Sequence, residues 1–410
     1  MSIDVRLITE DEFPYYSRTV WRGFGSASMT EEDIAAERSV AELDRCFAAV
    51  EGGEIVGTSY AHSFAMTCPG GAELPTGGIA GVIVLATHRR RGLASALMAA
   101  VLEQAADRGE LAVALTASES SIYRRFGFGV ATLVNSYEID SRHARVEPEP
   151  GASGRLRILS VEDAYEPLQG YFDEYRRTRA GEMSRTPSWW RLVLGPRPYW
   201  RGGGSLHVAV HETASGSVDG YALYRQRGAD PTDVSSQHID VVELHSHDPE
   251  VELALWQFCF GVDLVRTVSM QWGDPDPVLA ERLDDPRQLR VTSRRDFLWV
   301  RLLDVAGALS ARGYSGDGTL VLSVKDDFRA GDGGCFTLSV HGGQGRCEPS
   351  PTARADLELE LADLSAVYLG REGWRRLLRA GRVAEQRAGA AAEADRLFNV
   401  VPAPYCATPF

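Results

Sequence analysis

A β-branched run, Val82-Ile83-Val84-Leu85, passes through Ala86-Thr87-His88-Arg89-Arg90-Arg91-Gly92 straight into a helical apolar pattern. Strand propensity in the first part, then the spacing Leu93, Leu97, Ala100, Val101 and Gln104 ended by Gly109, predicts a strand, a tight turn and a helix. Gly92 then falls at the helix N-terminus. Unpaired backbone N–H groups and the positive end of the helix dipole point outward there, and a residue without a Cβ lets a phosphate approach the main chain. The stretch Arg89, Arg90, Arg91, Gly92, Leu93, Ala94 and Ser95 therefore reads as a pyrophosphate cradle. A dinucleotide fingerprint is disfavoured, because G-x-G-x-x-G is absent and no acid stands at the ribose position.

Leu111-Ala112-Val113-Ala114-Leu115-Thr116-Ala117-Ser118 is a second apolar strand candidate. Glu119-Ser120-Ser121-Ile122-Tyr123-Arg124-Arg125-Phe126-Gly127-Phe128 follows it and predicts a short helix carrying a tyrosine. Arg89-x-x-Gly92-x-Ala94 fits the R/Q-x-x-G-x-G/A pattern of the GNAT acetyltransferase superfamily, and the tyrosine segment resembles the one whose phenol lies beside the coenzyme sulfur there. Longer matches narrow the resemblance. Pro75-Thr76-Gly77-Gly78, Ala117-Ser118-Glu119, Gly220-Tyr221-Ala222-Leu223-Tyr224-Arg225, Leu298-Trp299-Val300-Arg301 and Leu364-Ser365-Ala366-Val367-Tyr368-Leu369-Gly370 are similar to the enhanced-intracellular-survival (Eis) family of actinobacterial acetyltransferases. These segments span all thirds of the chain, which a shared cofactor loop alone does not produce.

Composition bounds the rest. A chain of 410 residues, 44% hydrophobic and 24% charged, can bury ample core and divides into two or three domains. No apolar run approaches the ~20 residues of a membrane span, and Met1-Ser2-Ile3-Asp4-Val5-Arg6 lacks the basic and apolar segments of a secretory signal. A cytoplasmic protein without a membrane partner is expected. The six cysteines lack C-x-x-C spacing, which favours reduced thiols, and His245-Ser246-His247 has no third ligand nearby, so no metal is expected. A formal net charge of -14 disfavours nucleic acid and draws in cationic small molecules.

Three domains are expected, over residues 1–140, 155–293 and 294–410, with Ser141 to Gly154 as a Pro-, Gly- and charge-rich linker. Val5-Arg6-Leu7-Ile8-Thr9-Glu10-Asp11 and Leu156-Arg157-Ile158-Leu159-Ser160-Val161-Glu162 share an apolar-Arg-apolar-apolar-hydroxyl start, which a duplicated fold explains. The second copy reads His245-Ser246-His247-Asp248-Pro249-Glu250-Val251 after its strand, with acids where phosphate needs donors. The last part alternates in Leu357-Glu358-Leu359-Glu360-Leu361, so one strand face is wet, and amphipathic patterns over Val305 to Arg312 and Leu364 to Ala380 predict flanking helices. With these patterns, the resemblance implies the fold class α/β and α+β: tandem GNAT folds, the N-terminal one active and the central one degenerate, then a sterol-carrier-protein-like α+β domain.

Acetyl transfer from a thioester to an amine needs a neutral nucleophile, stabilisation of an oxyanion and a proton for the departing thiolate. The resemblance implies acetyl-CoA as donor. Backbone groups of Val82, Ile83 and Val84 would pair with its pantetheine arm, Arg89 to Ser95 with its pyrophosphate, and Ser118 and Glu119 would line its other side. Tyr123 is the implied general acid, since a phenol of pKa ~10 stays protonated at neutral pH. The implied base is the carboxylate of Phe410, at the end of a tail of prolines, an aromatic and small residues suited to threading into a cleft. A free α-carboxylate, of pKa ~3.3 to 3.7, is a poor base unless burial raises it, and Glu119 or a bound water stays open as the alternative.

Trp21, Phe24 and Asp285 match positions around the family's acceptor pocket, whereas Pro409 and Gly23 stand where some members carry acids. The function implied is an acetyl-CoA-dependent N-acetyltransferase for primary amines of aminoglycoside-like or other polycationic small molecules, at several positions, with protein lysines as further acceptors, in a homohexamer. The alternative reading is a non-catalytic regulator that senses coenzyme A or carries an apolar ligand.

Overall fold

The computed structural model describes residues 3–25, 29–195, 205–228, 232–329 and 331–410; Met1 and Ser2 of the N-terminal segment read above lie outside them. Two compact units result. The first comprises Met1–Thr132, Phe297–Pro404 and Thr408–Phe410, the second Leu133–Asp296 and Tyr405–Ala407.

The first unit opens with β1 (Asp4–Leu7), α1 (Phe13–Gly23) and α2 (Glu31–Val40), followed by β2 (Cys46–Glu51), β3 (Glu54–Thr67) and β4 (Glu73–Val84). α3 (Leu93–Asp107) then leads to β5 (Ala112–Thr116) and, after a turn, to β6 (Gly129–Val130). The sheet order is β1-β2-β3-β4-β5, then the late strand Leu298–Leu302, then β6. β4 and β5 are parallel because α3 carries the chain back between them; the other neighbours are antiparallel. α3 buries Leu93, Leu97, Met98, Val101, Leu102 and Ala105 against this sheet. Gln104, expected on that stripe, lies at its edge and donates to the Asp44 carbonyl at 2.6 Å.

The second unit repeats the plan. Its sheet runs Arg155–Leu159, Leu206–Glu212, Val218–Arg227, Gln237–Ser246, Val265–Gly273, Leu133–Asp140 and Arg290–Asp296. Gln237–Ser246 and Val265–Gly273 form its parallel pair, joined by the helix Pro249–Phe260. Val5 and Leu156, which begin the internal match, both lie on the edge strand of their sheet.

The sixth strand of the first sheet comes from beyond the contiguous run that forms the rest, whereas that of the second comes from the residues just before it. Leu298–Leu302, expected in the third domain, lies between β5 and β6, and Leu133–Asp140, expected to close the first, pairs with Val265–Gly273 and Arg290–Asp296. Composition marks a charged linker but not a strand exchange, since both strands bury apolar residues equally well. Nor is residues 141–154 a free linker, for Ala144 and Val146 are buried in the second unit's core and Val146 bridges to Leu283.

The first unit's smaller sheet is made of Gly318–Lys325, Gly334–His341, Gln344–Pro349, Leu357–Glu360 and Val383–Glu385. Leu357 and Leu359 are buried and Glu358 and Glu360 exposed, as the alternation predicts. The helix expected over Leu364 to Ala380 is instead two, Leu361–Val367 and Trp374–Arg379, parted where Gly370 takes the left-handed φ of +88. Among the described residues no helix is long and apolar enough to cross a membrane.

Candidate active site

β4 and β5 pair only at Thr76–Ala112, Gly77–Val113 and Gly78–Ala114. Beyond Gly78, β4 continues along β3 to Val84, while β5 stays paired with Leu298–Leu302 as far as Thr116. Among the described residues the β5-facing edge of Ile79 to Val84 is thus without a strand partner, and Val82, Ile83 and Val84 lie in this stretch. A bulge bends β4 here: the register shifts between Thr58 and Tyr60, Gly81 takes φ +57, and the Thr58 hydroxyl donates to the Gly81 carbonyl at 2.8 Å. An open strand edge offers main-chain groups to an extended, amide-bearing arm.

The loop after β4 sorts its three arginines. Arg91 grips Glu51 at 2.7 and 3.1 Å, and His88 reaches the same carboxylate at 3.0 Å. Chiefly the Arg91 hydrogen bonds hold the Glu51 carboxyl down to about 2. Arg89 and Arg90 are exposed, and among the described residues neither has an ion-pair partner. Arg90 sits at φ +62, a backbone state that costs a non-glycine residue ~1–3 kcal/mol and is found where geometry serves a site. Gly92 caps α3 at φ +82, no side chain caps the helix, and its first turn holds no acid. A Cβ on Gly92 would meet nothing within 4 Å. Open space over bare N–H groups, with two unpaired guanidiniums beside it, fits the pyrophosphate of acetyl-CoA. Leu93 is buried beneath the first turn, with Ala94 and Ser95 half-buried beside it.

The second unit's equivalent helix has no such room. Asp248 caps it by accepting from the Glu250 N–H at 2.8 Å, and Glu250 and Glu252 occupy its first turn. Glu250 in turn accepts from Arg282 at 2.6 Å and from the Gly151 N–H at 2.8 Å. Carboxylates already neutralise the dipole there and would repel phosphate.

Tyr123 lies not in a helix but just before a 3-10 turn, Arg124–Phe126, closed by Gly127 at φ +83. Gly127 permits the left-handed exit that stops the turn from extending into a helix. The ring is buried in one cluster with Ile79, Met98, Leu102 and Leu115, edge-on to Phe128 at 6.1 Å. Burial, with a smaller push from Glu119, raises the phenol above its ordinary range. Ser118 and Glu119 are exposed on the preceding turn. Phe410 sits at the parting of the strands: the Thr116 hydroxyl donates to its main-chain oxygen at 3.0 Å, and its ring lies 5.1 Å from that of Phe64. Gly78 makes room for both rings, since a Cβ there would meet Phe64 at 2.4 Å and Phe410 at 3.1 Å.

Trp21, on the last turn of α1, and Phe24, just past its end, pack together at 5.9 Å, with Phe24 half-exposed. Trp21 lines a small cavity with Tyr60, His62 and Glu37, none of which the sequence reading singled out. The signal was there. Tyr60, His62 and Phe64 alternate along β3 and their rings follow one another at 5.2 and 5.8 Å, ending on Phe410. Burial pushes the His62 imidazole down to about 4 and the Glu37 carboxyl up to about 7. Asp285 belongs to the second unit, where its oxygens accept from the Arg287 N–H at 3.0 Å and from Gln288 at 2.9 Å.

A βαβ unit with splayed strands, a bare helix N-terminus and a buried tyrosine on the next turn together define an N-acetyltransferase of the GNAT class. Residues 4–131 and 181–302 each match an acetyltransferase (GNAT) domain family, and residues 305–407 match the sterol carrier protein domain. The chain is 36% identical to an uncharacterized N-acetyltransferase of Streptomyces griseus over 99% of both proteins, and 32% identical to the N-acetyltransferase Eis of Mycobacterium tuberculosis over 90% of both. The crystal structure of Eis1 from Mycobacterium abscessus superposes with a TM-score of 0.87 at 31% identity, covering all of both chains. The chain belongs to the Eis family of acetyltransferases.

Proposed function

We propose that the protein acetylates primary amines of polycationic small molecules, aminoglycosides being the class to try first, with Tyr123 as general acid and the Phe410 carboxylate as base. The observation that carries this reading is the seat of Phe410 where β4 and β5 part, tied to Thr116 and to the aromatic face of β3. Acetyl-CoA, when bound, supplies the thioester carbonyl that the amine attacks. As the C–N bond forms, the Phe410 carboxylate takes a proton from the amine, and main-chain N–H groups of Val82 to Val84 polarise the carbonyl. As the C–S bond breaks, Tyr123 gives its proton to sulfur, and solvent restores both groups.

Selection of a cation is supported by the excess of acid in the chain, net charge -14, and by the aromatic walls Trp21, Tyr60 and Phe64. Gly23 brings no carboxylate and has no space for one, because a Cβ there would lie 2.2 Å from Ile83 Cγ2. Aromatic contact thus weighs more than ion pairing in this reading. Acetylation of several amines on one acceptor, acetylation of protein lysines, and assembly as a hexamer belong to the same proposal. A screen of kanamycin, spermidine and lysine peptides against acetyl-CoA, read by free thiol and by product mass, tests the acceptors. Light scattering tests the assembly. No thiol release with any amine would overturn the reading.

A further inference from the structure

Elements from beyond residue 297 converge on the turn that carries Tyr123. Arg124, the next residue, is held bidentately by Asp363, Nη1 to Oδ1 at 2.9 Å and Nη2 to Oδ2 at 2.6 Å, with Glu360 accepting from Nη2 at 2.7 Å. The Asp363 side chain is only 3% exposed. At the far end of the turn, Arg301 donates to the Phe126 carbonyl at 2.5 Å and is itself fixed by Asp326 at 2.6 Å and Asp332 at 2.7 Å. The Phe126 ring meets Phe328 edge-on at 4.8 Å. No side chain fits between the turn and these supports: a Cβ on Gly127 would lie 2.0 Å from Arg301 Nη1, and one on Gly129 2.0 Å from the Ala362 carbonyl.

Tyr123 needs such support. Among the described residues its hydroxyl has no hydrogen-bond partner, so nothing at the tip of the side chain sets its aim. Its backbone does, since the Tyr123 carbonyl accepts from the Phe126 N–H at 2.9 Å and from the Phe128 N–H at 3.4 Å, which ties the residue into the turn. A planar guanidinium fork fixes direction as well as distance, and a buried carboxylate cannot swing away into water.

We propose that Asp363, on the helix Leu361–Val367 of the sterol-carrier-like part, is a positioning residue for Tyr123, acting through Arg124, so that this C-terminal part belongs to the acetyl-transfer machinery. The proposal rests on the reading of Tyr123 as general acid. Asp363→Asn keeps the shape of the side chain and removes its charge. With acetyl-CoA and kanamycin, or the fastest amine of the screen above, kcat should fall about 10- to 100-fold, the cost of a small misplacement. KM for acetyl-CoA should stay within about two-fold, because ground-state binding is untouched. In a Tyr123→Phe background the same substitution should leave kcat unchanged, since nothing remains to be positioned. Equal losses in both backgrounds, or a native kcat in Asp363→Asn, overturn the proposal. A native rate in Tyr123→Phe alone overturns the reading of Tyr123, and the proposal with it. Should thermal unfolding show that Asp363→Asn does not fold, Arg124→Lys, which keeps the charge and loses the fork, enters the same cycle with the same expected outcomes.

Discussion

The Thr116 hydroxyl donates to the main-chain oxygen of Phe410 at 3.0 Å, joining the end of β5 to the last residue of the sequence. A hydrogen bond of this kind fixes where that oxygen stands. Appending one glycine to Phe410 moves the charge by about 3.3–3.6 Å, more than a hydrogen bond tolerates. Activity should collapse while thermal stability and acetyl-CoA binding hold. Thr116→Val should give a milder loss, about ten-fold in kcat, because the carboxylate stays but is less well placed. A glycine-extended enzyme that keeps native turnover would remove Phe410 from the mechanism.

Tyr123→Phe deletes one oxygen from a ring already fixed by packing, so folding should be unaffected. Turnover should fall by about 10² to 10⁴, the usual worth of a positioned acid. Calorimetric binding of acetyl-CoA, unchanged beside the lost rate, separates this from a structural defect.

Arg89→Ala combined with Arg90→Ala should raise KM for acetyl-CoA while kcat at saturation stays close to native, since phosphate contacts bind ground and transition states alike. Arg91→Ala should do less, because its guanidinium is already paired with Glu51. Steady-state kinetics at varied acetyl-CoA distinguishes the two variants; a larger effect from Arg91 would reverse the sorting of the loop.

Glu182 makes stability depend on pH. Its buried carboxyl accepts from the Ala407 N–H at 3.0 Å, and burial pushes it up to about 7 despite the opposing pull of Arg185. Below pH ~4.5 the group is protonated in folded and unfolded chains alike. From about 4.5 to 7 only the folded chain keeps the proton, so stability falls as pH rises, by up to about 3 kcal/mol. Glu182→Gln keeps the acceptor for Ala407 and removes the titration. Its melting temperature relative to wild type should therefore be more favourable at pH 7.5 than at pH 5, and a gap independent of pH would refute the shift.

What could be read from the sequence was local. The turn at Gly92 was legible because strand, glycine and helix adjoin, and because an uncapped first turn is visible as an absence of acids. The pairing of Arg91 was not, as Glu51 lies 40 residues away. Tyr60, His62 and Phe64 alternate plainly enough to mark a strand face, yet nothing in the alternation says that the face ends on a residue of the far tail. Thr116 and Phe410 are 294 residues apart, and Arg124 and Asp363 239. Local strands and helices followed from periodicity and the fold class from the resemblance, whereas the placing of two strands followed from neither, because Leu133–Asp140 and Leu298–Leu302 are each plausible in either sheet.

That exchange sets how the protein can be cut. A fragment ending at the charged stretch after Asp140 would leave β5 and β6 without the strand that joins them, and would carry Leu133–Asp140 with none of its partners. Unpaired edges of this kind are templates for aggregation. The N-terminal GNAT half is therefore not a portable module, and a working truncation that keeps it must hold the run through Leu302 in one piece.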